Sequence, residues 1–292
     1  MLKTPPGLLA VRRYFDSQES RWQSANKNDP WLWRVALALL ALGLLLTLTG
    51  DQHSLFLSLN QFSQSVLPVY VWANITFIGD AMVAFTIGLL FTFRFPKLAL
   101  AILLAGVIGT ILVHTAKHLL ELPRPPAVLD RDLFTIIGPA FKSNSMPSGH
   151  TATALTLVAL LWRCVPNLQW RLALLAFGLL IGWSRVAAGI HWPADVCIGA
   201  ALGLFASWLG LKLSDKLPLH RVTYGIVSAI LITAAVMLFN FDGDFEQTAL
   251  TAKLLSVATL VYWLGSWVIF FFAPKLILPK PLQEKLLDES QG

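Results

Sequence analysis

Two histidines and an aspartate give this sequence side chains that could transfer a phosphoryl group. Asp195 follows His191 by four residues, a spacing that lets the two share one face of a helix. A carboxylate in that position would hold one imidazole nitrogen as N–H and leave the other free to attack, as in a catalytic triad. His150 adds a second group that can exchange a proton near neutral pH. The two histidines divide naturally into a nucleophile and a general acid.

The residues around His150 favour the binding of an anion. Ser148 is a good helix N-cap, and Gly149 removes a side chain where a ligand would approach the backbone. The free N–H groups of a first helical turn and the positive end of its dipole attract phosphate. Three fixed positive charges are available as well, on Lys117, Arg124 and Arg185. Together these residues predict phosphoryl transfer through a phosphohistidine, without a metal.

The composition is that of an integral membrane protein. Of the 292 residues 56% are hydrophobic and 13% are charged, and the mean hydropathy is +0.66; soluble domains carry about 25% charged residues. The net charge of +6 does not indicate nucleic-acid binding, because the basic residues lie in short loops and form no continuous patch. The two cysteines, Cys164 and Cys197, form no CxxC motif and are expected to pack as small apolar side chains.

Apolar runs of about 20 residues predict a polytopic, all-α bundle of about eight transmembrane helices. The segment 1–30 mixes apolar and basic residues and is expected to be cytoplasmic, either as a helix on the bilayer surface or as a disordered tail. Part of 61–78 is a candidate for a segment along the outer surface. The predicted helices lie near 31–50, 70–93, 98–118, 148–165, 170–187, 193–213, 222–240 and 254–274.

The distribution of positive charge predicts that both termini are cytoplasmic. With the N-terminus inside, the inner segments hold 16 of the 22 Lys and Arg residues, as the positive-inside rule requires. Alternating topology then brings the segments around Lys117, Ser148 and Arg185 out on the same, outer face of the membrane. Three of the six outward basic residues lie in these segments, at helix ends where charges usually serve a site.

Three motifs in the span 117–195 carry a resemblance to a known family. They read Lys-x6-Arg-Pro, Pro-Ser-Gly-His and Ser-Arg-x5-His-x3-Asp. Their order and spacing resemble the three-part signature of the type-2 phosphatidic acid phosphatase superfamily, which includes membrane lipid phosphatases and vanadium-dependent haloperoxidases. The resemblance implies a six-helix lipid phosphatase core over 31–213. Two additional transmembrane helices and a cytoplasmic tail would occupy 214–292.

The resemblance also implies a role for each motif residue. His191 would be the nucleophile, oriented by Asp195. His150 would protonate the leaving group and then activate water. No metal or other cofactor would be needed. The phosphate would be bound by Lys117, Arg124, Ser148, Gly149 and Arg185.

The function implied is hydrolysis of a lipid phosphate or diphosphate at the outer face of a bacterial inner membrane. Undecaprenyl diphosphate is the preferred substrate, with phosphatidylglycerol phosphate, phosphatidic acid and lipid A 1-phosphate as competitors. A lipid phosphotransferase would use the same chemistry with a different acceptor. A transporter of anions or lipids is the alternative from another class, although it would not need two histidines and Asp195. Nothing in the sequence names a protein partner.

Asp80 is a further candidate outside the motifs. An acidic residue at membrane depth is usually functional, and Asp80 lies in or near the second predicted helix. Two placements are open: a pairing with one of the site cations, or a position at the outer interface.

Overall fold

The structure, a computed structural model, describes residues 30–49, 52–218, 220–241 and 245–272. Every regular element within these ranges is helical, which confirms the all-α prediction. The predictions for the N-terminal segment and for the cytoplasmic tail fall outside the described residues.

Ten helices of eight or more residues are present in the described chain. Three of them begin with a proline, Pro30, Pro96 and Pro193, at a position where the missing N–H has no helical partner to lose. The ten are α1 (Pro30–Leu48), α2 (Gln52–Val66), α3 (Val69–Ile78), α4 (Ala81–Arg94), α5 (Pro96–Leu120), α6 (Gly149–Trp162), α7 (Leu168–Ala187), α8 (Pro193–Lys216), α9 (Arg221–Phe239) and α10 (Ala249–Phe272).

Six of these helices are each long and apolar enough to cross a membrane: α1, α5, α7, α8, α9 and α10. Helices α3 and α4 qualify only as a pair, bent by 58°, and they raise the count to seven. Helix α6 is apolar but has 14 residues, fewer than the roughly 20 of a straight crossing. The chain is therefore a multi-pass membrane protein, but the predicted total of eight spans is not confirmed.

Helix α8 lies at the centre of the bundle and packs against α1, α5 and α6. Two glycines allow its close approach to α6: a Cβ atom on Gly199 would lie 2.4 Å from the Ser148 carbonyl oxygen, and one on Gly203 would lie 2.2 Å from that of Ala152. Small residues at such crossings let helix backbones touch inside a membrane. The contact fixes the beginning of α6, where Ser148 lies, against the beginning of α8.

Helix α2 was not predicted as a helix of its own. It has 15 residues, too few to cross a bilayer, and it packs against α7. The buried Asn60 donates to the carbonyl oxygens of Val186 (3.0 Å) and Ala187 (3.1 Å) and accepts from the Thr135 N–H (2.9 Å). Helix α2 thus holds the C-terminal end of α7 against the loop between α5 and α6.

The last two helices pack on the outside of α4. Leu231 of α9 and Leu89 of α4 are fully buried in one apolar cluster between them. The turn before α10 reaches α3, where Asn74 donates to the Gln247 carbonyl oxygen (3.4 Å) and accepts from the Thr251 hydroxyl. Helices α9 and α10 therefore support the bent pair α3–α4.

Candidate active site

The three motif segments meet at one end of the bundle, as the alternating topology predicts. They are the C-terminal end of α5, the N-terminal end of α6 and the connection between α7 and α8. The long loop between α5 and α6 returns to its own beginning, because Ser145 N–H donates to the Leu122 carbonyl oxygen (3.0 Å) and Arg124 N–H donates to that of Lys142 (2.9 Å). Residues 117–124 and 142–150 are thereby held side by side.

His191 and Asp195 form the contact that their spacing predicts. The distance from His191 Nδ1 to Asp195 Oδ2 is 3.1 Å, and both side chains are buried. Asp195 lies in the first turn of α8, and its Oδ2 also accepts from the Trp192 N–H at 2.8 Å. The carboxylate is therefore held by the helix start that follows the histidine.

Ser145 is a member of this network that the sequence analysis missed. Its hydroxyl is buried and donates to Asp195 Oδ2 at 2.5 Å. The Ser148 N–H donates to the backbone carbonyl oxygen of Asp195 at 3.0 Å. Asp195 thus joins the α5–α6 loop to the α7–α8 connection, 50 residues further along the chain. No spacing rule links Ser145 to Asp195, so only the path of the loop reveals the pair.

The surroundings of His191 favour the neutral imidazole that a nucleophile needs. Burial lowers the pKa of His191 well below 6.5, and the positive charges of Arg124, Arg185 and Lys117 lower it further. The nearby Asp195 carboxylate acts in the opposite sense. Burial dominates, because His191 is only 2% exposed and removal from water disfavours the charged imidazolium.

Arg124 connects the two loops of the site. It is 8% exposed, and its guanidinium donates to the carbonyl oxygens of Ser143 (2.9 Å), Asn144 (3.3 Å) and Ile190 (3.2 Å). The Asn144 carbonyl oxygen also accepts from Lys117 Nζ at 3.0 Å. Both cations are thus positioned by backbone oxygens, which adds a structural role to the phosphate-binding role that the resemblance implies for them.

Arg185 and the helix start at Ser148 complete the predicted anion site. Arg185 is buried and donates to the Thr76 hydroxyl on α3. Ser148 begins α6 as its N-cap, and its hydroxyl oxygen accepts from the Thr151 hydroxyl (2.9 Å) and N–H (3.4 Å). A Cβ atom on Gly149 would meet only Val113, at 3.6 Å, an ordinary contact. The protein therefore leaves room beside Gly149, as a site for a ligand requires.

His150 and Asp80 face each other on the other side of the site. The distance from His150 Nε2 to Asp80 Oδ2 is 4.0 Å, and the two side chains are 25% and 21% exposed. Asp80 Oδ1 accepts from the Met82 N–H at 2.7 Å and so caps α4. Asp80 accordingly belongs to the site region, a placement that the sequence analysis left open.

A cavity of about 160 Å³ extends from this pair between α4, α5 and α6. Polar groups of Asp80, His150 and His114 line one part of it. The remaining walls are mainly apolar and include Ala84, Phe85, Ile102, Ala105 and Leu157. The site therefore opens into a space suited to hydrocarbon rather than to water.

The resemblance implies a mechanism without a metal, so the side chains that could bind a metal ion are relevant here. Among the residues described, no group of three or more His, Cys, Asp or Glu side chains is arranged to hold a metal ion. The charges near the two histidines are instead those of Lys117, Arg124 and Arg185.

Two curated relatives of the chain are named as lipid phosphatases. An undecaprenyl-diphosphatase of Sulfolobus acidocaldarius is 27% identical over 160 residues, which cover 52% of this chain and 68% of that protein. A lipid A 1-phosphatase of Rhizobium johnstonii is 30% identical over 105 residues, which cover 35% of this chain and 42% of that protein. The chain thus spans about two thirds of the first relative and less than half of the second.

A solved structure and a family profile also match. The crystal structure of LpxE from Aquifex aeolicus is 28% identical, and the match covers 55% of this chain and 93% of that one with a TM-score of 0.49. Residues 94–218 match the PAP2 superfamily. That range contains all three motifs, from Lys117 to Asp195, so the part of the chain that is similar to this superfamily includes every motif residue.

Proposed function

We propose that this protein hydrolyses a lipid phosphate or diphosphate through a phosphohistidine intermediate on His191. The observation that carries the proposal is the buried His191–Asp195 pair, which lies among three cations and across the site from His150. The names of the curated relatives support the substrate class. The apolar cavity that begins at His150 supports a substrate whose hydrocarbon chain stays in the bilayer.

In the first step the imidazole nitrogen of His191 that faces away from Asp195 attacks phosphorus. An N–P bond forms while the bond from that phosphorus to the leaving oxygen breaks; the leaving oxygen is the lipid oxygen of a monophosphate or the bridging oxygen of a diphosphate. His150, as an imidazolium, gives its proton to the departing oxygen. Lys117, Arg124 and Arg185 stabilise the negative charge on the transferring phosphoryl group. Asp195 stabilises the positive charge that develops on His191.

In the second step water attacks the phosphohistidine. His150, now neutral, takes a proton from that water, and the N–P bond breaks to release inorganic phosphate. Both histidines return to their starting protonation states. A lipid phosphotransferase would differ only at this step, since a second lipid would replace water as the acceptor.

The motif residues bind the phosphate and therefore do not select the lipid. We take undecaprenyl diphosphate as the first substrate to test, because one relative carries that activity in its name. Lipid A 1-phosphate follows for the same reason. Phosphatidylglycerol phosphate and phosphatidic acid complete the set.

We further propose that the site faces the outside of a bacterial inner membrane, with both termini in the cytoplasm. The support is the excess of Lys and Arg in the segments that the sequence predicts to be cytoplasmic. In this proposal the phosphatase core is 31–213, the segment 1–30 is cytoplasmic, and 214–292 adds α9, α10 and a tail.

The test is release of inorganic phosphate by the purified full-length protein in detergent micelles, with each lipid supplied alone. We expect release from at least one of the four, and loss of it in His191→Ala. Quenching the wild type during turnover with alkaline detergent should trap a phosphoprotein that is stable to base and labile to acid, and the variant should lack it. His118→Ala is the matched control, because His118 is an exposed histidine one residue from Lys117.

The outcomes separate the alternatives. Phosphate release that survives in His191→Ala would contradict the proposed site. Phosphoprotein formation without release of inorganic phosphate, followed by appearance of the phosphoryl group on a second lipid when one is added, would indicate the phosphotransferase. Lipid binding without either reaction would favour a transporter or lipid-binding protein.

A further inference from the structure

The break between α3 and α4 brings a carboxylate to the side of the site occupied by His150. The two helices are bent by 58°, and Asp80 begins the second of them. Its Oδ1 is engaged in capping α4, while its Oδ2 lies 4.0 Å from His150 Nε2. The cap thus fixes the orientation of the carboxylate and leaves one oxygen on the histidine side.

Gly79 permits this approach. A Cβ atom on Gly79 would lie 3.0 Å from His150 Cβ, 3.1 Å from the His150 carbonyl oxygen and 2.7 Å from Ile181 Cγ2. These distances are shorter than ordinary van der Waals contacts, so a side chain at this position would push the break away from α6. The adjacent pair Gly79-Asp80 therefore supplies both the close approach and the charge.

The charges near His150 explain why a carboxylate matters there. Burial, and after it the positive charges of Arg185, Lys117 and Arg124, oppose an imidazolium at His150, yet the first step of the proposed reaction requires one. A carboxylate close to the ring favours the charged form. The other titratable groups that share this space are Lys117 and His114 on α5, Arg124 in the loop, Arg185 on α7 and His191 before α8.

We propose that Asp80 is a positioning residue for His150, in the same sense that Asp195 positions His191. This inference rests on the proposed function, in which His150 is the acid of the first step and the base of the second. During the reaction the separation of 4.0 Å between Asp80 Oδ2 and His150 Nε2 shortens to a hydrogen bond in which Asp80 accepts the Nε2–H. The other ring nitrogen exchanges the proton with the leaving oxygen and then with water. Asp80 stays ionised throughout and neither gains nor loses a proton.

The dependence of the rate on the leaving group distinguishes this role from a structural one. An alkoxide must be protonated as it leaves, whereas a nitrophenolate leaves readily without a proton. In Asp80→Asn we expect kcat/KM to fall about tenfold for an alkyl phosphate such as dodecyl phosphate, since a positioned acid contributes roughly 10²–10⁴-fold and the imidazole itself remains. For p-nitrophenyl phosphate we expect a loss of less than about threefold.

Asparagine is the informative replacement because it is as good an N-cap as aspartate. The thermal midpoint of Asp80→Asn should therefore match that of the wild type. Asp130→Asn is the matched control: Asp130 is exposed in the α5–α6 loop and caps a short turn by accepting from the Asp132 N–H (3.2 Å). Like Asp80→Asn, the variant Asp130→Asn loses one negative charge and keeps a capping side chain. Its kcat/KM should not change for either substrate.

A double variant tests whether Asp80 acts through His150. In a His150→Gln background, Asp80→Asn should cause no further loss with the alkyl phosphate. Equal losses on the two substrates, or independent losses in the double variant, would overturn the inference. The proposed function is judged separately, by phosphate release from the wild type and the loss of that release in His191→Ala.

Discussion

The two histidines of the site are held in contrasting ways. We call the region of His191, Asp195 and Ser145 the buried half of the site, and the region of His150 and Asp80 the open half. His191 is 2% exposed, and its partner Asp195 is tied by Ser145 and the Trp192 N–H within 3 Å. His150 is a quarter exposed, lies 4.0 Å from Asp80 and borders an open cavity. The difference fits their proposed tasks: a nucleophile gains from being aligned before substrate arrives, whereas an acid that serves two successive oxygens needs space for the lipid to leave and water to enter.

The largest expected effect comes from disturbing the buried half at Asp195. Asp195→Asn keeps the shape but places an amide where the carboxylate accepts three hydrogen bonds, and His191 loses its orienting charge. We expect kcat to fall by about 10³–10⁴-fold, the scale known for the corresponding change in a catalytic triad. Single-turnover phosphate release measures it, and a loss below about tenfold would contradict the assigned role.

Ser145→Ala should weaken the same half less. Asp195 Oδ2 would keep its contacts with His191 and with the Trp192 N–H and lose one of three donors. A hydrogen bond to a charged group contributes about 1.5–3 kcal/mol, so kcat should fall roughly 10- to 100-fold. KM for the same lipid should change little, because Ser145 lies behind the carboxylate. The parallel change Ser143→Ala, in the same loop, is the control.

The pH dependence of stability reports the buried histidine directly. The pKa of His191 is lowered in the folded protein, so below pH 6.5 the unfolded chain binds a proton that the folded chain excludes. This contribution is fully present above pH 6.5 and is lost as the pH falls below it. Between pH 7 and pH 5.5 the free energy of unfolding of the wild type should fall by roughly 1 kcal/mol more than that of His191→Asn. Denaturation midpoints of both proteins, measured at both pH values, check the sign. Equal changes of the midpoint in the wild type and in His191→Asn would argue against a neutral, buried His191.

The smallest expected effect comes from weakening the contact between α10 and α3, which supports the open half of the site. Thr251→Val removes the hydroxyl that donates to Asn74 and so loosens the link between α10 and α3. Hydrogen bonds between membrane helices contribute on average about 0.6 kcal/mol. We expect a fall in the thermal midpoint of a few degrees at most and a loss of kcat/KM below about threefold for dodecyl phosphate. Ser266→Ala, an exposed hydroxyl on the same helix that bonds its own helix backbone, is the control.

Local spacing was enough to predict the His191–Asp195 geometry of the buried half. The interval of four residues, together with a proline that begins α8, predicts the His191–Asp195 contact, and the alternation of helices predicts that the motifs meet. Ser145 could not be predicted, because its position depends on the path of a loop that closes on itself through Arg124 and Leu122.

Hydropathy is weaker evidence for the helices of the open half. It measures how apolar a run is, but neither where the run bends nor where its hydrogen bonding stops. The prediction of one helix over 70–93 therefore missed the bend at Gly79, although the polar residue Asp80 marked the place. The apolar run from 148 to 165 likewise yields a helix that ends at Trp162, and the mixed composition of 52–66 concealed α2.

Asp195 accepts hydrogen bonds from both Ser145 and Ser148, and this determines when during synthesis the site can form. Ser145 and Ser148 leave the ribosome about 50 residues before the residue that accepts their hydrogen bonds. Until α8 is synthesised, the α5–α6 loop lacks this partner, so the nucleophile and the residues that align it are completed in one late event. A chain that ends before residue 195 would therefore carry two of the three motifs without a closed site, and no partly competent intermediate would be present in the membrane during synthesis.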